Sequence, residues 1–196
     1  IVTSRTYRQS SRMRTDIDDP ENKLLARQQR FRLPAELVRD AALTASGLLQ
    51  RTVGGRSFRP QMPEGMLKVA YRVKWVESSQ DERYRRGLYT FFQRSLPHPQ
   101  LTNFDAPSSM VTCSRRSRST TPLQALNLLN APEFEAAAKA LAERVERERP
   151  GDFEEQARYA FELCLARRPS ADELALLKRY YASRANWAGI ATSLLN

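Results

Sequence analysis

The sequence predicts a mainly α fold: a basic, mixed part over residues 1–120, Arg-rich and built of helix and loop with one short β element, then a helical part over residues 121–196. The second part is expected to form a layer of four to five short antiparallel amphipathic helices. Three observations predict this. Helix-start signals followed by apolar stripes of helical period recur after residue 120. Strict two-residue alternation occupies one stretch, residues 67–75. A chain of 196 residues that is 41% apolar can bury one core, so a single domain over 1–196 is expected.

In chain order, Pro34 with Glu36 opens a helix bearing Leu37, Val38, Ala41, Ala45, Leu48 and Leu49, which Gly54 and Gly55 would halt. Residues 60–66 are rich in turn formers. Leu67, Val69, Tyr71, Val73 and Trp75 then alternate with Lys68, Ala70, Arg72 and Lys74, as in a half-buried strand with a basic outer face. A lone strand is not stable, so it needs a partner. Over residues 84–94, Tyr84, Leu88 and Phe91 stand at helical spacing; the aromatic content also suits a strand, and the spacing favours helix. Pro97, Pro99 and Pro107 make residues 97–107 an extended loop.

Thr121, Pro122 and Gln124 form a capping box with proline at the first helical position, and that helix should run to about Asn130. Asn130 and Glu133 repeat the signal ahead of a stripe of Phe134, Ala137, Ala138, Leu141 and Val145, which Pro150 and Gly151 end. Asp152 with Glu155 opens a third helix, with Phe153, Ala157, Ala160, Phe161 and Cys164 on one face. Ser170 with Glu173 opens a fourth, carrying Leu174, Leu177 and Tyr181, and a fifth segment starts at Asn186.

The net charge of +10 is unevenly placed. Residues 1–120 hold 22 Lys+Arg against 11 Asp+Glu, or +11, whereas residues 121–196 hold 10 against 11, or −1. A basic half implies an anionic partner: nucleic acid, acidic glycan, lipid headgroup or an acidic neighbouring domain. Arginine accounts for 27 of the 32 basic residues, which suits bidentate anion recognition and equally a GC-rich genome. No recognised nucleic-acid-binding module is present. No run of about 18 apolar residues occurs, so no membrane span is expected. The first residue is Ile rather than Met and no secretory leader precedes the domain, so a truncated piece of a longer chain is expected. Cys113 and Cys164 show no C-x-x-C or C-x-x-C-H spacing, which excludes covalent haem attachment and a cysteine zinc site within this chain. A disulfide between them, in an exported protein, and two buried free thiols are both open readings.

The best candidate site is Arg115, Arg116 and Arg118, set just ahead of the Thr121 cap, where helix N–H groups and guanidinium forks can converge on a sulfate, phosphate or carboxylate. Asp105, in the "FDAP" turn, is the internal acid that could neutralise them instead. Arg83, Arg85 and Arg86 with Tyr84 form a second basic cluster, either an anion-binding face or a solvated one. Tyr84, Tyr89 or Trp75 could stack on a sugar or base, against the simpler reading of core packing. His98 is the sole histidine, held between two prolines in what reads as an exposed loop; that suits a proton-transfer role or an axial contact to a haem carried elsewhere. No nucleophile–base or paired-carboxylate spacing is present, so no catalytic residue is assigned.

The segments "TSRTYRQSS", "YRRGLYTFFQRSLPHP", "FDAPSS", "CSRRSRSTTPLQALNLLNAPEF" and "LARRPSADEL" span nearly the whole chain in order. Together they resemble the planctomycete cytochrome-associated domain of unknown function 1553, the PSD1 type. Two departures stand out: Thr120 replaces the family's more frequent Asn, and the chain stops at "LLN" where relatives continue. The resemblance implies a C-terminal module of an exported multidomain protein in the periplasm or cell envelope, with haem c in another domain of the parent chain and no cofactor in this one. The expected function is therefore a non-catalytic binding module whose basic surface meets neighbouring domains of the parent chain or an anionic polysaccharide, with no nucleic acid as partner. The rival expectation is part of an envelope enzyme acting on polysaccharide with redox help from the haem module.

Overall fold

The computed structural model describes residues 1–63, 65–69, 74–80 and 82–196. Residues 1–33 form one compact unit and residues 34–196 another. In the first, the short helix α1 (Arg5–Arg8) is capped by Ser4, whose Oγ accepts the Tyr7 N–H at 3.3 Å. Hydrogen bonds rather than apolar burial organise the rest. The buried Asp19 carboxylate accepts the N–H groups of Lys23 and Leu24 at 2.7 and 2.8 Å, and Arg27 donates to the carbonyls of Asp19 and Pro20 at 2.9 and 2.6 Å.

The second unit is mainly helical. Its elements are α2 (Ala35–Ser46), α3 (Met66–Val69), a 3-10 turn at Gly87–Tyr89, α4 (Pro99–Asn103), α5 (Pro122–Asn130), α6 (Pro132–Glu148), α7 (Phe153–Leu165), α8 (Ala171–Arg184) and α9 (Trp187–Leu195). Among the described residues no helix is long and apolar enough to cross a membrane.

The central element is α6, which packs on α9 and on α2. Its stripe meets the sequence expectation: Ala138, Leu141, Ala142 and Val145 join Ala157, Ala160, Trp187, Ile190 and Ala191 in the larger core, while Phe134 and Ala137 join Ala35, Ala42, Leu101, Phe104 and Leu128 in a second. The caps at Asp152 and Ser170 are formed, accepting the N–H groups of Glu155 and Glu173 at 3.3 and 3.2 Å. Since α2 lies on α6, the charge boundary at residue 120 is not a packing boundary; the division between units falls at Pro34.

Four local expectations are corrected. The first long helix ends at Ser46, not near Gly54: Gly47 adopts φ 81°, and Arg144 donates to the Thr44 and Ala45 carbonyls at 3.1 and 2.9 Å, a cation satisfying the helix's last acceptors. The strand expected over 67–75 is replaced at its start by α3; residues 70–73 lie outside the described residues, and Trp75 packs with Met62 and Leu96 while donating its indole N–H to the Pro60 carbonyl at 2.9 Å. The β content that is described consists of two isolated parallel bridges, Gln50 to Arg85 and Phe58 to Thr90. These hold residues 84–94 extended around the 3-10 turn, so the helix expected there is absent. Within 97–107, Pro99 opens α4 instead of breaking order, because at a helix start its missing N–H costs no hydrogen bond.

Candidate functional site

Helix α2 collects both basic clusters. Glu36 and Asp40 stand one turn apart on it, and residues four apart on a helix are neighbours. Arg116 reaches Glu36 through Nη1, at 3.0 and 2.8 Å from the two carboxylate oxygens. From the other cluster, Arg86 donates Nε to Asp40 Oδ2 at 3.2 Å, and the Gly87 N–H donates to Asp40 Oδ1 at 2.6 Å. These hydrogen bonds use one guanidinium nitrogen of each arginine, and both side chains remain nearly half exposed. Burial opposes ionisation of Glu36, but the Arg116 hydrogen bond and a local backbone one outweigh it, so its carboxyl lies below the ordinary value. The Glu36 hydrogen bond in turn raises the Arg116 guanidinium above its own.

Arg115 and Arg118 are exposed beside this pair, and Arg115 makes no ion pair among the described residues. Asp105, at φ 60°, accepts the Ser119 N–H at 2.7 Å and its hydroxyl at 2.9 and 2.8 Å. That fixes the loop just after the arginines. The fully buried Gln124 continues the network: its Nε2 donates to the Asn103 carbonyl and to Ser119 Oγ at 2.8 and 3.2 Å, and its Oε1 accepts the Thr121 N–H at 3.2 Å. Gln124 thus does more than cap α5; it ties the arginine loop and α4 to it.

The remaining candidates face inward. Arg85 is buried, its terminal nitrogens donating to the carbonyls of Gly54 and Arg56 and its guanidinium lying 4.2 Å from the Tyr89 ring centre. It braces the 54–56 loop and turns away from solvent. Tyr84 is half-buried, and its carbonyl accepts the Gln50 N–H at 2.9 Å. His98 is not on an exposed loop: it is 6% exposed at the start of α4, with Nε2 3.0 Å from the Gln61 carbonyl. The prolines that suggested exposure instead place it at a helix cap, directed inward.

Burial pushes the His98 pKa below 6.5. Between that lowered value and 6.5 the unfolded chain binds the proton more readily, so stability should fall as pH drops through this window. Urea unfolding at pH 7.5 and pH 5 checks this, and His98→Gln should remove that part of the pH dependence. An equal dependence in the variant would assign it to other groups.

Sequence reasoning missed an internal ion pair. Arg39 meets Glu133 at 2.6 Å, lies 4.9 Å from the Phe58 ring centre and donates to the Arg83 carbonyl. Its signal was available, since Arg39 falls between Ala35 and Ala42 on the apolar face of α2. Both cysteines are free thiols; Cys113 is exposed, whereas burial pushes the Cys164 thiol up to about 11. An open depression of about 590 Å³ lies between the end of α2 and α6, lined by Arg51, Arg144 and Arg147 but also by Glu143 and Glu148, and this mixture gives it little preference for anions. No cluster of metal-ligating side chains occurs among the described residues.

No curated protein and no solved structure matches this chain. A family model does, over residues 1–181, and the chain belongs to that family: PSD1, protein of unknown function (DUF1553).

Proposed function

We propose that this domain is a non-catalytic binding module whose arginine face, built on α2 from Arg86 and Arg116 and extended by Arg115 and Arg118, engages carboxylate or sulfate groups of an acidic partner domain or an anionic glycan. The observation that carries the reading is the convergence of two sequence-distant basic segments on Glu36 and Asp40, one helical turn apart. Internal carboxylates orient Arg86 and Arg116, and guanidinium nitrogens beyond those contacts suit bidentate recognition. The module belongs, in this reading, to an exported multidomain protein of the cell envelope with its haem in a neighbouring domain.

Titration with dextran sulfate and with polygalacturonate at low and high ionic strength tests it. Binding is expected at low salt and should be lost as salt screens exposed charge. Arg86→Gln and Arg115→Gln should each weaken it by about two- to fivefold, as exposed ion pairs do, with the double variant weaker than either. No binding to either polysaccharide removes the glycan form; polyglutamate then tests the acidic-protein form. Failure with all three would end the reading.

A further inference from the structure

The two carboxylates on α2 hold their arginines in different ways. Asp40 takes Arg86 at Nε, 3.2 Å away, which leaves both terminal nitrogens of that guanidinium uncommitted among the described residues. The other Asp40 oxygen accepts the Gly87 N–H at 2.6 Å, so one buried carboxylate binds the Arg86 side chain and the backbone of the next residue. Asp40 thus sets where Arg86 stands. Glu36 instead takes a terminal nitrogen, with both of its oxygens on Arg116 Nη1 at 3.0 and 2.8 Å. That is the end of the side chain which an external carboxylate or sulfate would grip. Apart from its own backbone, Arg116 is the hydrogen-bond partner of the Glu36 carboxylate among the described residues. The arginine loop has a second anchor, because Ser119 is held by Asp105 at 2.7 Å and by Gln124 at 3.2 Å.

We infer that Glu36 is a built-in competitor for the ligand: its carboxylate occupies Arg116 until a carboxylate or sulfate of the partner displaces it, whereas Asp40 holds Arg86 ready. This rests on the function proposed above and adds regulation to it, since an internal acid lowers the affinity of the arginine face. Displacement is feasible because burial opposes the charge on Glu36. A carboxylate that swings off Arg116 into water recovers hydration, and the arriving anion gives the guanidinium a new acceptor. The Arg116 side chain is 45% exposed, so the pair that breaks is worth little more than a surface ion pair. The loop stays in place on Asp105 and Gln124 while the exchange occurs.

The probe is fluorescein-labelled dextran sulfate, measured by anisotropy at low ionic strength against the full 196-residue chain. Glu36→Gln keeps the side chain's size and removes its charge, and should tighten binding about two- to fivefold, the range of an exposed ion pair. In an Arg116→Gln background the same change should have no effect, because the competitor then has nothing to occupy. Asp40→Asn removes an equal charge and should weaken binding about two- to fivefold, since Arg86 loses its orienting acceptor. Opposite signs from two equal charge changes separate competition from the general field of the protein. Should Asp40→Asn alter the far-UV circular dichroism, the Glu36 and Arg116 cycle decides alone. Unchanged or weaker binding by Glu36→Gln overturns the proposal and makes Glu36 an orienting group like Asp40. Equal tightening with and without Arg116 also overturns it, as an effect of net charge. In both cases parent binding that depends on Arg86 and Arg115 leaves the broader reading standing. Binding by neither the parent nor Glu36→Gln ends this proposal, and failure with polygalacturonate and polyglutamate as well ends the broader reading.

Discussion

Replacing Glu133 with alanine is expected to lower stability by about 3–5 kcal/mol, the cost of breaking a buried ion pair from one side. Arg39, 3% exposed, and Glu133, 15% exposed, are held at 2.6 Å between α2 and α6. Burial pushes the Glu133 carboxyl above its ordinary value and the Arg39 guanidinium below its own, which identifies desolvation as the opposing force and each charge as the other's compensation. Arginine cannot shed its proton to escape. With Glu133 removed, the cation loses its nearest counter-charge and is left against the Phe58 ring, with the hydrogen bond to the Arg83 carbonyl and the more distant attraction of Asp40. Urea unfolding reads the effect. Arg39→Met combined with Glu133→Leu should recover most of the loss, because an apolar pair of similar volume needs no compensation. By contrast Lys139→Ala, at an exposed i,i+4 pair with Glu135, should change little. A Glu133→Ala loss as small as that of Lys139→Ala would mean that water reaches Arg39.

The same contrast explains what the sequence disclosed. After residue 120 the helices are specified locally: Asp152 and Ser170 cap their own helices, and Phe134, Leu141 and Val145 recur at helical period, so the pattern and the structure agree. In the basic part order comes from distant pairings that leave no periodic trace. Arg85 braces a loop some thirty residues upstream, His98 binds Gln61, and Asp40 receives Gly87. Residues 84–94 and 97–107 therefore could not be assigned from spacing. The candidate site was half legible for the same reason. Arg86 and Arg116 announce themselves as clustered cations, but Glu36 lies 80 positions from Arg116, and nothing local links them. One pairing was displaced by a single residue: α6 is entered from Ala131 rather than Asn130, which instead donates its side-chain N–H to the Leu126 carbonyl at 2.8 Å and closes α5.

Gly87→Ala is expected to cost about 3 kcal/mol, at the upper end of what one added methyl causes in a packed interior. The reason is proximity, since Gly87 lies close enough to α2 that a Cβ would stand 2.6 Å from the Glu36 carbonyl oxygen and 2.8 Å from its Cα. Both atoms are backbone of a helix whose own hydrogen bonds resist movement, so the 86–88 segment must withdraw. Withdrawal breaks the 2.6 Å hydrogen bond from the Gly87 N–H to Asp40 and separates Arg86 from the same carboxylate. Stability and binding should consequently change together: a lower thermal midpoint, and polyanion binding weakened to the level of Arg86→Gln. Arg115→Gln added to Gly87→Ala should weaken it further, because Arg115 lies on the segment held by Glu36 and not on the one displaced. A Gly87→Ala protein with the parent midpoint and the parent salt-dependent affinity would show that the close approach to α2 does not position Arg86, and the two basic clusters would then have to be treated as separate surfaces.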